Sequence, residues 1–372
     1  MGRLNDLAAA GQAVWLDFVD RKFLAAGGLQ KLVDEDGLTG VTSNPTIFEK
    51  AMGHGDAYDQ ELAAYDKNHP GAATIDRYEH LAILDIQAAA DTLRPVYDRL
   101  DGKDGYVSLE VSPYLANDTD ATIAEAKKLW AAVGRPNLMV KIPGTPAGVP
   151  AIAATIAEGI NVNVTLLFSI EAYKSVAEAY VTGLEERVRQ GQPIDRIASV
   201  ASFFVSRIDA KIDDKIDAGV GGEEAKALKG KVAIANAKMA YAWYQDFIKT
   251  ERWQALAAKG AQVQRLLWAS TGTKNPDYPD TLYLDTLIGK DTVNTVPPKT
   301  MDAFRERGTV GQTLAADIDA ARDVIAAQER LGLDLNGVTD TLVEEAVASF
   351  SKAFDDLLGA IAAKHPAEHA TS

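Results

Sequence analysis

The chain has 372 residues, 47% of them hydrophobic and 24% charged, with 53 acidic against 38 basic side chains and a formal net charge of -15. This composition supplies apolar material for a large core, excludes a disordered chain, and opposes non-specific attraction to nucleic acid or anionic membranes. The absence of cysteine excludes disulfides, thiolate metal sites and a cysteine nucleophile, and with neither a secretory signal pattern nor an apolar run of about 18 residues the chain reads as cytoplasmic.

In chain order, short apolar or β-branched runs alternate with longer stretches of helical period, the pattern of repeated βα units. Strands are expected at Val14 to Val19, Gly40 to Ser43, Tyr106 to Val111, Leu138 to Ile142, Asn161 to Leu166, Ala198 to Phe203, Arg265 to Ser270 and Val293 to Val296. Helices are expected at Tyr58 to Tyr65, Asp76 to Leu100, Thr119 to Val133, Pro146 to Ala157, Ile170 to Arg189 and Val232 to Ile248. This succession predicts an α/β fold, a (β/α)8 TIM barrel. A doubly wound open sheet would carry a Gly-rich turn after its first strand, where this chain has Asp20, Arg21 and Lys22.

The long connections Ile47 to Gly105 and Ser206 to Gln264 read as helical insertions on the barrel. Val343, Val347, Phe350, Phe354, Leu357 and Ile361 recur along one face of a C-terminal helical tail. Thr341 and Glu344, in capping-box spacing, mark the expected start of that helix. No linker or repeat divides the chain, so residues 1–372 read as one domain.

A barrel of this kind places its chemistry at the C-terminal ends of its strands. Those ends carry Asp17, Asn44, Glu110, Lys141, Asn163, Thr165 and Ser202 with Arg207, then Ser270 with Lys274. Lys141 sits in the apolar run Leu138, Met139, Val140, Ile142 before a Pro-Gly turn. It reads either as an amine made nucleophilic toward a carbonyl by its surroundings, or as a strand-end lysine snorkelling to the rim or paired with a carboxylate. Asp17 and Glu110, in otherwise apolar strands, favour the first reading because proton transfers at an imine need such acids. Either acid could instead neutralise Lys141 as a structural ion pair. Asn44, Asn163, Thr165 and Ser202 could equally serve strand-end backbone groups.

The five histidines, His54, His69, His80, His365 and His369, lie in connections or the tail, which disfavours a histidine-held metal. His365 and His369 have i, i+4 spacing, but Pro366 and the chain end favour a disordered tail.

The segments WLDFVDR, GVTSNPTIF, VSLEVSP, MVKIPGT, NVNVTLLFS and SFFVSRID, in this order, resemble the transaldolase family over essentially the whole chain. The resemblance implies a cytoplasmic enzyme without cofactor or metal, monomer or homodimer, acting on small sugar phosphates of the pentose phosphate pathway. It implies that Lys141 forms the Schiff base, that Asp17 exchanges the C4 hydroxyl proton, and that Glu110 with Thr165 handles the water of imine formation. It further implies that Asn44, Asn163 and Ser202 hold the dihydroxyacetone unit, while Arg207 and Ser270 bind phosphate. Where family members carry another arginine, two residues beyond Ser270, this chain has Gly272, and Lys274 is expected to supply the charge. Smaller aldolase relatives carry tyrosine where this chain has Phe204, which can neither donate a proton nor order a water.

Overall fold

The computed structural model describes residues 2–364. Its centre is a closed, all-parallel barrel in which the strands follow one another in sequence order. They are β1 (Gln12–Asp17), β2 (Gly40–Thr42), β3 (Tyr106–Glu110), β4 (Leu138–Pro143), β5 (Val162–Leu167), β6 (Ser199–Phe204), β7 (Arg265–Ala269) and β8 (Thr292–Val296). β8 pairs with β1 to close the ring. Parallel pairing demands a crossover after each strand, and helices provide it on the outer face, while the inner face is filled by the strands' own side chains.

The expected (β/α)8 barrel with helical insertions and a C-terminal helix is therefore present. β1 begins two residues before its expected start and ends at Asp17, which puts that acid at the rim. The helices Thr119–Val133 and Ile170–Arg189 have their expected bounds. The first long connection holds Pro45–Met52, Asp59–Asn68 and Thr74–Arg99, and the second holds Ser206–Asp217, Val232–Phe247 and Glu251–Ala257 as its longer helices.

The C-terminal helix differs from expectation at its start. It spans Leu335–Lys364, so Thr341 lies within it and turns its hydroxyl back to the Gly337 carbonyl, 2.9 Å away, rather than capping an N-terminus. Asp334 is the capping residue, accepting the Gly337 N–H at 3.1 Å. Phe350, Phe354, Leu357 and Ile361 are buried as the periodicity requires, and the helix packs on Pro45–Met52, Thr74–Arg99 and Ser206–Asp217. The pair His365 and His369 lies outside the described residues.

The N-terminal end of the barrel carries a polar cluster, Trp15, Asp104 and Arg265. Trp15 Nε1 donates to Asp104 Oδ1 at 2.9 Å, Arg265 reaches Asp104 Oδ2 at 3.0 Å, and the Arg265 guanidinium lies 5.7 Å from the Trp15 ring. The indole fits because its neighbour in register is Gly40, where a Cβ would stand 2.3 Å from a ring carbon. Gly40→Ala is accordingly expected to lower stability by about 1 to 3 kcal/mol through overpacking, seen as a lower urea midpoint at unchanged slope. An unchanged midpoint would mean that Trp15 has room to move.

Candidate active site

Register sets the centre of the site. Glu110 is paired with Lys141, and Lys141 with Asn163, so three polar side chains from β3, β4 and β5 lie side by side. Lys141 is only 5% exposed. Its Nζ donates to the Ser43 carbonyl at 2.9 Å and lies 3.2 Å from Glu110 Oε2. Ser43 is held in turn by its hydroxyl, which donates to the Ser108 carbonyl at 2.7 Å. The amine is therefore aimed by a backbone group of the β2 loop as well as by a carboxylate.

Glu110 makes the contact to Lys141 as an ion pair rather than an aligned hydrogen bond, and neither of its oxygens has another protein partner. Burial pushes its carboxyl above the ordinary glutamate range; Lys141 pulls it back, and Asp17 adds to the rise. Thr165, also buried, has an unpartnered hydroxyl. Buried polar groups in native structures normally find partners, so the carboxylate and the hydroxyl, on the two strands that flank the Lys141 strand, leave hydrogen-bonding capacity for water or substrate.

Asn163 is better satisfied. Its Nδ2 donates to Ser108 Oγ at 2.9 Å and its Oδ1 accepts from Ser202 Oγ at 2.7 Å, each atom retaining one further position. Ser202, Asn163 and Ser108 thus form a chain across β6, β5 and β3. Asn44 is placed at the rim but is partly committed, because its Oδ1 caps the helix Pro45–Met52 by accepting the Ile47 N–H at 2.9 Å. Its amide Nδ2 remains for a ligand.

Asp17, the last residue of β1, accepts a 2.7 Å hydrogen bond from Thr42 Oγ1, which also lies 2.6 Å from Thr295 Oγ1. Burial raises its carboxyl above the ordinary aspartate range, while Lys141, the Thr42 hydroxyl, Lys274 and Arg207 lower it, in that order. Asp17 makes no ion pair with Lys141 within 4 Å, so the two act on each other through the field rather than by contact.

Arg207 lies in the first turn of the helix Ser206–Asp217, with its guanidinium 5.5 Å from the centre of the Phe204 ring. Phe204 in turn packs against Phe168. Among the described arginines that are not fully exposed, Arg207 alone has no hydrogen bond and no carboxylate within 4 Å. Burial lowers the basicity of Arg207, and burial followed by the Arg207 charge lowers that of Lys274. Lys50, not singled out from sequence, adds a third positive charge acting on Lys274. Ser270 joins the group through Ser206, their hydroxyls being 3.0 Å apart and the Ser206 N–H bonding the Ser270 carbonyl at 3.1 Å.

Two backbone outliers border this constellation. Leu166, immediately after Thr165, has φ 61° at a slip in the β5 to β6 register, and Ser270, immediately after β7, has φ 55°. The other positive-φ residues with side chains are all aspartates, which tolerate that region. A buried leucine there is strained, and such strain gathers at ligand sites held by their surroundings. Among the described residues, no group of three or more His, Asp or Glu side chains could hold a metal ion.

A closed (β/α)8 barrel with a buried lysine, two carboxyl groups and unpaired cations at its C-terminal mouth has the build of a barrel enzyme. The comparisons with known proteins then settle the family. The model of a family described as Transaldolase/Fructose-6-phosphate aldolase matches residues 14–361. Relatives include a protein named Transaldolase from Thermobifida fusca, 49% identical over 360 residues, which span 96% of this chain and 97% of the relative. Another is Transaldolase 2 from Nostoc sp., 47% identical over 374 residues and covering 98% of each chain. The chain belongs to the transaldolase family and is an enzyme, a transferase.

Proposed function

We propose that this enzyme moves a three-carbon dihydroxyacetone unit from a ketose phosphate, fructose 6-phosphate or sedoheptulose 7-phosphate, to an aldose phosphate, erythrose 4-phosphate or glyceraldehyde 3-phosphate. This places it in the cytoplasmic pentose phosphate pathway. The observation that carries the reading is the enclosed Lys141 amine, 3.2 Å from Glu110 and within the field of Asp17.

Lys141 Nζ attacks the C2 carbonyl, and loss of water from the resulting carbinolamine leaves a protonated imine. Glu110 and the Thr165 hydroxyl, which have free hydrogen-bonding positions, handle that water. Asp17, ionised, takes the C4 hydroxyl proton; the C3–C4 bond breaks, the electron pair passes to the imine as an enamine, and the aldose phosphate departs. An incoming aldehyde is attacked by the enamine carbon, Asp17 returns the proton, and hydrolysis frees Lys141. Asn44, Asn163 and Ser202 hold the three-carbon unit. Arg207, Ser270 and Lys274 bind the phosphate, so that remote binding energy positions the reacting bond.

The second reading is a Schiff-base aldolase that releases free dihydroxyacetone, an activity within the description of the matching family. Phe204 argues for transfer, since its buried ring offers no proton to the enamine. The test is a rapid-quench experiment with fructose 6-phosphate alone, followed by borohydride and mass spectrometry. The expected result is one equivalent of glyceraldehyde 3-phosphate per site and a dihydroxyacetone-sized adduct on Lys141, with turnover resuming on addition of erythrose 4-phosphate. An adduct elsewhere overturns the assignment of Lys141, and sustained release of dihydroxyacetone moves the activity to the aldolase.

A further inference from the structure

Resting on the reading of Arg207 and Lys274 as the phosphate site, we infer that Tyr278 and Tyr283 are positioning residues that latch the Lys274 loop onto the helix bearing Arg207. The loop runs from the end of β7 to the short helix Leu282–Thr286. Its start is tied to Ser206 through Ser270 and to Asn294 through the Thr271 hydroxyl, which donates to Asn294 Oδ1 at 3.0 Å; just beyond Lys274 the bonding is local, Asp277 N–H to Asn275 Oδ1 at 2.9 Å and Tyr278 N–H to the Asn275 carbonyl at 3.2 Å. A turn of that kind does not determine where Lys274 stands relative to Arg207.

Two side-chain bonds tie the far side of the loop to that helix. Tyr278 donates to Asp213 Oδ2 at 2.5 Å and Tyr283 to Asp209 Oδ2 at 2.9 Å, and both aspartates lie on the helix Ser206–Asp217, where Asp209 is 1% and Asp213 6% exposed. The aspartates are fixed from the other side by backbone, Asp209 accepting the Ala233 N–H at 2.8 Å and Asp213 the Gly230 N–H at 3.2 Å. The Tyr278 ring rests against Gly230, where a Cβ would stand 2.8 Å from a ring carbon.

The latch has a second effect. Lys274 lines a groove of about 220 Å³ shared with Asp209, Asp213 and Asp217. It has no carboxylate within 4 Å among the described residues; the tyrosines bond the first two acids, and Lys229 pairs with Asp217 at 2.6 Å. With Tyr278 and Tyr283 in place the acids are satisfied without drawing on Lys274, which stays available to an anion. Loss of either bond leaves a carboxylate without that donor in the groove that Lys274 lines.

The test uses the full-length enzyme with Tyr278→Phe and Tyr283→Phe, which keep the rings, and Asp213→Asn, which keeps an acceptor for Gly230. The probe is inorganic phosphate, measured by calorimetry and as a competitive inhibitor. Each variant is expected to bind phosphate roughly tenfold more weakly, because Lys274 is no longer held in place before the anion arrives, and to show a matching rise in KM for fructose 6-phosphate. The kcat and the slow cleavage of unphosphorylated fructose are expected to stay within about twofold, a split that general loosening of the fold would not produce. Unchanged phosphate binding in the three variants, while Arg207→Ala and Lys274→Met lose it, overturns the latch and leaves the phosphate site intact. Retention of phosphate binding by Arg207→Ala and Lys274→Met overturns the phosphate-site reading, and the latch with it.

Discussion

Lys141→Met is expected to lower kcat/KM for fructose 6-phosphate by roughly 10⁴-fold or more, the loss typical of removing a covalent nucleophile. Without the imine, the electron pair of the C3–C4 bond has no sink, and cleavage would leave a free carbanion. The fold is expected to survive the change. Glu110 loses the cation 3.2 Å away, but its carboxyl is already raised by burial and takes up a proton instead of remaining as an uncompensated buried charge. Phosphate binding by the inactive variant, together with a melting temperature close to that of the parent, checks that only the chemistry has gone. Activity above about one per cent of the parent would show that another amine serves, or that the reaction needs no imine.

Asp17→Ala is expected to slow cleavage by about 10² to 10⁴-fold, the usual contribution of a general acid/base group, while imine formation on Lys141 still proceeds and can be trapped. The two variants thus separate the two halves of the reaction. Asp17 also gives the pH profile a direction. As the proposed base Asp17 acts when ionised, and burial raises its folded pKa, so kcat/KM is expected to fall as pH drops through a value above the ordinary aspartate range. Lys274 and Arg207 both favour the ionised form, so Lys274→Met is expected to move that acid limb upward in pH. A limb that is unmoved in Lys274→Met and persists in Asp17→Ala would assign it to another group, with Glu110 next in line.

The sequence revealed the barrel because all eight strands are compact apolar or β-branched runs, and each was found within two residues of its observed ends. The start of the C-terminal helix was misread for a local reason. Thr341 and Glu344 have capping-box spacing, but a threonine inside a helix can turn its hydroxyl to the carbonyl four residues back, and sequence spacing does not distinguish the two. The polar strand ends were legible as a set because ionisable residues interrupt apolar runs. The partner that aims Lys141 was not, since the Ser43 carbonyl is a backbone group and has no residue signature. Nor does Leu166 announce the left-handed turn beside Thr165, a conformation imposed on a residue with no preference for it. Tyr278 and Tyr283 lie in a connection without periodicity, and only the folded chain brings them to Asp213 and Asp209.

The way the ends of the chain meet governs how the protein can be made. Strand β1 is bonded to β8, and the last helix, Leu335–Lys364, packs on Pro45–Met52 and sets Phe354 against Tyr78 and Tyr114 beside a small cavity that Glu110 also lines. A chain emerging from the ribosome at about 5 to 20 residues per second therefore carries its first strand for some time before the partner of that strand exists. Until β8 is synthesised, the growing sheet has two open edges, at β1 and at the newest strand, each a template for pairing with another chain. Closure joins segments separated by most of the sequence, a topology that folds slowly. Completion of the site is thus a late event in biosynthesis, and protection of the β1 edge during translation falls to whatever cellular factors attend the nascent chain.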